Sequence, residues 1–289
     1  MPITAYALAL VAAFLSAAAT ILIRQGLRSG AAYTGFWINL AVGTIGLWAG
    51  VLLTGGPGHV SVLGVALFVL AGLVGTAGGR LLRFVSIERV GASVSAAMFN
   101  LNPLISSGLA ILLLGERVTL PVIAGTVIIV AGTVQLSIGS RRLGVSPRQL
   151  ALPLLSATCF GVVAILRKLG LDQMSAVMGS AINVSAALVA FSALLLAWGQ
   201  PGTAVCRGSA LGYFIAAGVA ENTAVFLNVL ALDFGRVSVV APLYGTAPIF
   251  VLFLSFFFLR GVEVLSARVV AGTVMIVLGV YLITALPGH

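Results

Sequence analysis

An acidic residue deep inside a long apolar stretch is the most unusual chemical feature of this sequence. Glu221 is the only charged residue between Arg207 and Asp233. Placing an acid at the centre of a membrane helix costs about 2.5–3.5 kcal/mol on insertion scales. A carboxylate at that depth is therefore expected to bind a substrate amine or a proton. The alternative is an acid that is neutral or paired and holds helices together.

Nearby amides and one arginine could complete a site around this acid. Asn228 is seven residues after Glu221 and shares its helix face, whereas Asn222 is rotated by about 100°. Arg80, in the third apolar stretch, is the candidate partner of Glu221. When the two halves of the chain are aligned, Thr76 corresponds to Glu221, and Arg80 lies about one helical turn beyond Thr76. The alternative, which the sequence supports equally, is that Arg80 extends to the membrane interface together with Arg83.

Two apolar stretches carry a proline at matching positions near their middle. Pro103 follows Asn102 in the fourth stretch, and Pro248 closes the segment that begins at Tyr244 in the ninth. Because proline removes a backbone donor, both helices are expected to be interrupted there. Matching interruptions in two halves of a chain point to a binding site between the halves. Asn100 and Tyr244 are therefore expected to face a cavity.

Three further side chains are weaker candidates for the same cavity. Trp37 and Asn39 lie in the second apolar stretch, and Asn183 lies in the seventh. An asparagine in a membrane helix more often bonds to a neighbouring helix than to a ligand. These residues are accordingly predicted either to bind substrate or to join helices.

The sequence offers no set of residues for enzymatic or metal chemistry. His59 lies in a loop and His289 at the terminus, and neither a His-Glu-x-x-His motif nor a glycine-rich phosphate loop is present. Cys159 falls in an apolar stretch and Cys206 in a loop, which does not suggest a disulfide framework. We expect no enzyme activity, cofactor or metal, and any uphill movement of a substrate must then use an ion or substrate gradient.

Composition predicts an all-α integral membrane protein. Of 289 residues, 61% are hydrophobic and 7% are charged, whereas about a quarter of an ordinary soluble domain is charged. Apolar runs of about 20 residues can cross a bilayer, and they must be helical to satisfy their backbone groups. The predicted spans are Ile3–Ile23, Tyr33–Thr54, Ser61–Val85, Gly91–Leu114, Leu120–Ile138, Leu150–Arg167, Ser175–Ala197, Gly208–Leu232, Val237–Leu259 and Leu265–Ala285. The net charge of +9 is scattered over loops and span ends, so the expected surroundings are lipid and not nucleic acid.

An internal repeat divides the ten spans into two halves. Ala124–Gly132 reads AGTVIIVAG and returns 147 residues later, at Ala271–Gly279, as AGTVMIVLG. We expect one five-helix repeat at 1–142 and a second at 143–289. Five is odd, so the second copy enters the bilayer from the opposite side, and such inverted repeats can open a central site alternately to each side. The repeated glycines that mark matching faces of spans five and ten are expected to be scaffold or a dimer contact, leaving monomer and homodimer open: Gly125, Gly132, Gly272 and Gly279.

The run LLLGERVTL at Leu112–Leu120, followed by an Ala-Gly-rich fifth span, carries a resemblance to a known family. With ten spans in two halves, the chain resembles the EamA-type transporters of the drug/metabolite transporter superfamily. The second half departs from the pattern, because it reads Arg260-Gly-Val-Glu263. The resemblance implies a multi-pass secondary carrier of the cell (inner) membrane, often an exporter of amino acids or other small metabolites. A receptor or scaffold of the same fold that transports nothing is the alternative.

Two further expectations concern the ends of spans. Glu116 is expected to accept hydrogen bonds from the amides that begin the next helix, where the helix dipole favours a carboxylate. Most of the 15 Lys and Arg residues lie in the loops after odd-numbered spans. The positive-inside rule would then put both termini outside the cell, whereas the resemblance implies that both are in the cytoplasm. The sequence leaves the orientation open.

Overall fold

A computed structural model describes residues 2–90, 95, 98–99, 101–139, 147–199, 208–258 and 267–285. Within these ranges the chain is helical and forms no strand, apart from an isolated bridge between Val60 and Met174. The helices are α1 Pro2–Gly26, α2 Ala32–Leu53, α3 Val62–Val90, α4 Asn102–Leu114, α5 Leu120–Gly139, α6 Pro147–Leu171, α7 Ala176–Ala197, α8 Ser209–Phe234, α9 in two pieces Val237–Tyr244 and Ala247–Phe258, and α10 Ala267–Ala285.

These helices match the ten predicted spans in order and type. Six of them, counted over the described residues, are long and apolar enough to cross a membrane, and four shorter apolar helices accompany them. Large apolar side chains such as Leu53, Leu112 and Val189 are exposed on the outside of the bundle. An apolar surface of this extent is covered by lipid in a membrane protein. The prediction of an all-α integral membrane fold is confirmed.

The ends of the helices follow local sequence signals. Ser61 accepts a hydrogen bond from the amide of Gly64 at 3.0 Å, and Ser175 caps the start of α7 by accepting from Met178 at 3.4 Å. A serine before the first turn satisfies an amide that the helix itself leaves unpaired. Gly115 ends α4 with φ of +64°, a left-handed conformation that glycine adopts without strain.

Helix α3 is not a regular α-helix along its length. Its middle, Gly72–Gly79, is π-helical, between α-helical pieces Val62–Ala71 and Arg80–Val90. Gly75 lies against Val163 of α6, and Gly72 lies against the backbone of Asn183 in α7. Small residues let backbones approach closely, so this segment fits tightly between α6 and α7. The sequence did not predict the π-helical segment, and α3 continues beyond the predicted end at Val85.

Helix α9 is interrupted, and its interruption meets α4. The first piece ends at Tyr244, Gly245 and Thr246 form a turn, and the helix restarts at Ala247. The Cα of Gly245 lies directly against the ring of Pro103, which occupies the first turn of α4. The two proline-containing regions singled out from the sequence therefore lie side by side, one from each half of the chain.

Helices α2 and α7 pack together and run in opposite directions. The indole nitrogen of Trp37 donates to Ser192 at 3.0 Å, and that of Trp48 donates to Ser185 at 2.9 Å. Residue numbers rise along α2 while they fall along α7, so equivalent helices of the two repeats are antiparallel. Trp37 is thus placed at a helix–helix contact.

The same antiparallel relation holds for α5 and α10. Gly125 packs against the backbone of Gly279, and Gly132 packs against that of Gly272. The repeated glycine faces are therefore buried against each other within one chain. Helix α1 packs on α8, and α3 on α6, which is the same pairing with the repeats exchanged. The bundle consists of two inverted five-helix repeats, as the duplication predicts.

Apolar clusters flank a polar centre. One cluster surrounds Leu232, Leu243 and Ile276, at the contact of α8, α9 and α10. Another is centred on the ring of Phe36, which packs on Phe84 and Phe191 at centroid distances of 5.4 and 4.8 Å. Between these clusters lie the charged and amide side chains described next.

Candidate functional site

Charged side chains of both repeats are buried at the centre of the bundle. Relative exposure is 1% for Arg80, 4% for Arg167 and 2% for Glu221. Removing such groups from water costs several kcal/mol each unless partners compensate for the lost hydration. Their partners therefore define the chemistry of this region.

Glu221 of α8 is held by Arg83 of α3. The Arg83 Nη1 and Glu221 Oε1 atoms are 3.1 Å apart, with side-chain exposures of 11% and 2%. Arg83 also donates to Thr20 at 2.7 Å and lies near Ser16, both on α1. Its guanidinium stands over the ring of Phe99, 5.1 Å from the centroid. This ion pair therefore joins α1 and α3 of the first repeat to α8 of the second.

The prediction that Arg80 is the direct partner of Glu221 was wrong. Arg80 Nη1 instead donates to the amide oxygens of Asn39 at 2.8 Å and Asn222 at 3.2 Å. The alternative, an arginine that extends to the interface, was also wrong, because Arg80 is fully buried. Arg83 is three residues further along the same helix face, and it is this second arginine that reaches the acid.

Asn39 and Asn222 form an amide link around Arg80. Asn222 Nδ2 donates to the backbone oxygen of Asn39 at 2.9 Å and to that of Gly218 at 2.8 Å. Both asparagines are buried, and both point an oxygen at the guanidinium. The link joins α2 to α8, and Arg80 is solvated by neutral amides in place of a carboxylate.

A second buried arginine has a similar arrangement in the other repeat. Arg167 Nη2 donates to the amide oxygen of Asn183 at 3.3 Å, and Asn183 Nδ2 donates to the hydroxyl of Thr76 at 2.7 Å. Asn39 and Asn183 occupy nearly equivalent positions of the two repeats. Each therefore supplies a neutral oxygen to one buried guanidinium.

Arg167 is a functional candidate that sequence reasoning missed. The sixth span was predicted to end at Arg167, where an arginine followed by Lys168 is typical of a membrane interface. The helix instead runs on to Leu171 and places Arg167 in the interior. One signal in the sequence could have identified it. Asn183 is nearly equivalent to Asn39 by repeat position, and because Asn39 binds Arg80, a second buried arginine could have been expected beside Asn183.

A small cavity lies beside Arg167, between α4, α6, α8 and α9. Its volume is about 30 Å³, enough for one or two water molecules. The side chains that line it are polar Asn102, Arg167, Asn228 and Tyr244, and apolar Phe160, Ala164, Val225, Leu232, Val240 and Ala241. Asn228 and Tyr244 were predicted cavity residues, and Asn102 was predicted as part of the helix interruption. A cavity of this size is too small for an organic substrate.

Tyr244 connects the cavity to the ion pair. Its phenol faces Ser16 and lies within electrostatic range of Glu221, Arg83 and Arg80. Because the same residue lines the cavity beside Arg167, the two arginine clusters and the cavity form one polar region.

The remaining predicted residues have different positions. Asn100 lies outside the described residues, as does Glu263. Pro248 belongs to the second piece of α9. Within the described ranges, His, Cys, Asp and Glu side chains do not gather in groups of three that could hold a metal ion.

Glu116 binds a helix start, but not the predicted one. Its two carboxylate oxygens accept from the amides of Val237 at 2.9 Å and Ser238 at 3.0 Å, at the beginning of α9. The prediction that it caps the next helix, α5, was wrong. The reason is that α4 ends beside the start of α9 in the opposite repeat, so the helix terminus closest in space belongs to the other half of the chain.

Comparison with known proteins agrees with this architecture. The EamA-like transporter family matches residues 3–138 and again residues 149–285. No curated protein matches the chain. A solved structure titled "Crystal structure of protein" is 18% identical, covers 98% of this chain and 96% of its own, and superimposes with a TM-score of 0.80, which shows a shared fold. With two family matches that together span most of its length, the chain belongs to the EamA-like transporter family and is a multi-pass membrane transporter of the drug/metabolite transporter type.

Proposed function

We propose that this chain is a secondary carrier that exports small metabolites, such as amino acids, across the inner cell membrane. The observation that carries the proposal is the buried polar region between the repeats, with Arg80, Arg167 and Glu221 at its centre. Charged residues inside a membrane protein are costly, and they mark substrate or ion pathways. Export is the direction implied by the resemblance to EamA-type carriers.

Alternating access is the mechanism that the geometry favours. The cavity beside Arg167 has room for only one or two water molecules, so a substrate can reach Arg167 only after the surrounding helices move apart. The contact of Pro103 with Gly245 joins the interrupted regions of α4 and α9 beside this cavity. Interrupted helices bend at low cost, and inverted repeats can exchange conformations, so that the cavity opens first to one side and then to the other.

Glu221 is the proposed site of proton coupling. Its Oε1 atom holds Arg83, and its Oε2 atom has no hydrogen-bond partner among the described residues. Protonation of this carboxylate would remove the charge that holds α3 to α8, and with it one constraint on the relative movement of the repeats. A proton gradient could thereby drive the conformational cycle.

The proposal is tested by flux measurements on purified protein in lipid vesicles. A panel of radiolabelled amino acids is supplied to everted and right-side-out vesicles, with and without an imposed pH gradient. We expect flux that the gradient accelerates, and loss of that acceleration in Glu221→Gln. The matched control is Glu88→Gln, an exposed acid on α3.

Two results would contradict the proposal. Uphill transport by Glu221→Gln with unchanged pH dependence would remove proton coupling through this residue. Absence of flux for every compound, in a protein that still binds ligands, would favour the receptor or scaffold alternative.

A further inference from the structure

We propose that the central site selects organic anions, and that the carboxylate or phosphate group of the substrate docks on Arg167, with Arg80 supplying a second positive charge. This inference rests on the proposed carrier function and narrows its substrate class. It goes beyond a general metabolite carrier because it names the charge of the cargo.

Positive charge exceeds negative charge at the centre of the bundle. Arg80 and Arg167 are buried and Arg83 is nearly so, whereas Glu221 is the only carboxylate beside them within the described ranges. The other described acids lie elsewhere: Glu88, Asp172 and Asp233 are exposed, and Glu116 is bound at the start of α9. Glu221 is engaged by Arg83, so two buried guanidinium groups have no acid of their own.

The guanidinium groups of Arg80 and Arg167 are incompletely hydrogen-bonded among the described residues. Within the described ranges, Arg80 donates only to the amide oxygens of Asn39 and Asn222, and Arg167 only to that of Asn183. The Nε atoms of both arginines have no hydrogen-bond partner in the part of the chain that the structure describes. Fully buried cations normally have an anionic partner or a complete set of hydrogen bonds. The positive charges of Arg80 and Arg167 also repel each other.

Arg167 lies on the wall of the small cavity between α4, α6, α8 and α9. Its neighbours there are the amides of Asn102 and Asn228 and the hydroxyl of Tyr244. These groups are neutral and can each donate a hydrogen bond. A guanidinium binds a planar carboxylate or a phosphate through two parallel N–H donors, a geometry that a lysine does not offer. When the cavity opens, this wall presents one fixed positive charge and three neutral donors to the substrate.

The test uses matched pairs of probes that differ in charge. Lactate is compared with lactamide, and glycerol 3-phosphate with glycerol, so that the carboxylate and the phosphate each have a neutral counterpart. Thermal stabilisation of the purified protein reports binding, and uptake into vesicles reports transport. We expect at least one of the two anions to bind and to be transported at least about tenfold better than its neutral counterpart, since a charge-assisted hydrogen bond contributes about 1.5–3 kcal/mol.

Two variants test anion binding by Arg167, so that the result does not depend on a single variant that could fail to fold. Arg167→Gln removes the docking charge and should weaken anion binding by about 10- to 100-fold. Asn183→Asp places a carboxylate where Arg167 already donates at 3.3 Å. It should keep or raise thermal stability and still weaken anion binding, because the internal acid occupies the arginine. Arg28→Gln, at an exposed arginine in the loop after α1, is the matched control for loss of a charge.

The outcomes separate this inference from the proposed carrier function. Equal transport of a neutral compound and its anion overturns the anion inference and leaves the carrier function standing. Anion transport that is unchanged in a well-folded Asn183→Asp protein also overturns it. Stabilisation by anions without flux of any compound supports the anion site and contradicts transport, whereas neither stabilisation nor flux contradicts both.

Discussion

Among the described residues, the buried guanidinium of Arg167 depends on a single asparagine side chain. Asn183 supplies the amide oxygen for Arg167 and donates to Thr76, so one side chain joins α3, α6 and α7. The substitution Asn183→Leu keeps a side chain of similar size but removes both hydrogen bonds. It would leave the buried Arg167 guanidinium and the buried Thr76 hydroxyl without this partner.

We therefore expect Asn183→Leu to destabilise the protein by about 1–3 kcal/mol, measured as a lower unfolding midpoint in detergent. The comparison is Asn183→Asp, which retains an oxygen for Arg167 and should unfold no earlier than the unchanged protein. A leucine variant that unfolds at the same midpoint as the unchanged protein would show that the amide contributes nothing to stability.

The ion pair between Arg83 and Glu221 makes a second prediction at the scale of single residues. Removing one member of a buried pair costs about 3–5 kcal/mol, because the other charge remains buried. Arg83→Gln and Glu221→Gln should each lower the unfolding midpoint, and the double variant should lose clearly less than the sum of the two. Additive losses would mean that the charges do not interact, although they are 3.1 Å apart.

The sequence identified the buried acid but not its arginine, and the reason is physical. An acid within an apolar span stands out by composition alone, so Glu221 could be found without a structure. Its partner depends on the rotation of α3. The π-helical segment Gly72–Gly79 comes just before Arg80 and Arg83. Each π turn holds an extra residue, so positions counted along a regular helix fail to predict which arginine faces α8.

At the scale of helices, glycines decide how closely α5 and α10 can pack. A Cβ added at Gly279 would lie 2.6 Å from the backbone oxygen of Gly125, whereas one added at Gly46 meets no described atom within 4 Å. Backbone atoms cannot yield as a flexible side chain can, so an added methyl group must push the two helices apart.

We accordingly expect Gly279→Ala to lower the unfolding midpoint and Gly46→Ala to leave it unchanged or raise it, since alanine is the better helix former by about 1 kcal/mol. Thermal unfolding of both variants in the same detergent measures the difference. A Gly279→Ala protein as stable as the Gly46→Ala control would show that α5 and α10 do not depend on this close contact.

The order of the helices could be predicted from the sequence, whereas the irregular segments within them could be predicted only in part. The interruption in α9 follows from local chemistry, because Pro242 and Pro248 flank the turn at Gly245. The π-helical segment of α3 has no such local cause. It depends on the approach of Val163 and of the Asn183 backbone to its glycines, and contacts between distant segments cannot be read from one stretch of sequence.

At the scale of the whole molecule, the duplication predicted that the two halves are inverted, but not whether the centre of the bundle is open or closed. An odd number of spans per repeat requires inversion, and the antiparallel contacts of α2 with α7 and of α5 with α10 agree with it. Whether the centre is open depends on side-chain packing around Arg167 and Tyr244, which no repeat pattern encodes.

The last prediction concerns movement of one repeat against the other. Trp48 of α2 and Ser185 of α7 belong to opposite repeats, and their side chains are 2.9 Å apart. We expect these helices to separate during each cycle, because alternating access moves one repeat against the other. In a background with Cys159→Ser and Cys206→Ser, a cleavable thiol cross-link between Trp48→Cys and Ser185→Cys should stop flux in vesicles, and cleavage should restore it. Each single cysteine variant, treated with the same reagent, should remain active.

Full transport by the cross-linked double variant would mean that the repeats stay in contact at Trp48 and Ser185 throughout the cycle. The opening movement would then have to occur elsewhere, between the interrupted helices α4 and α9.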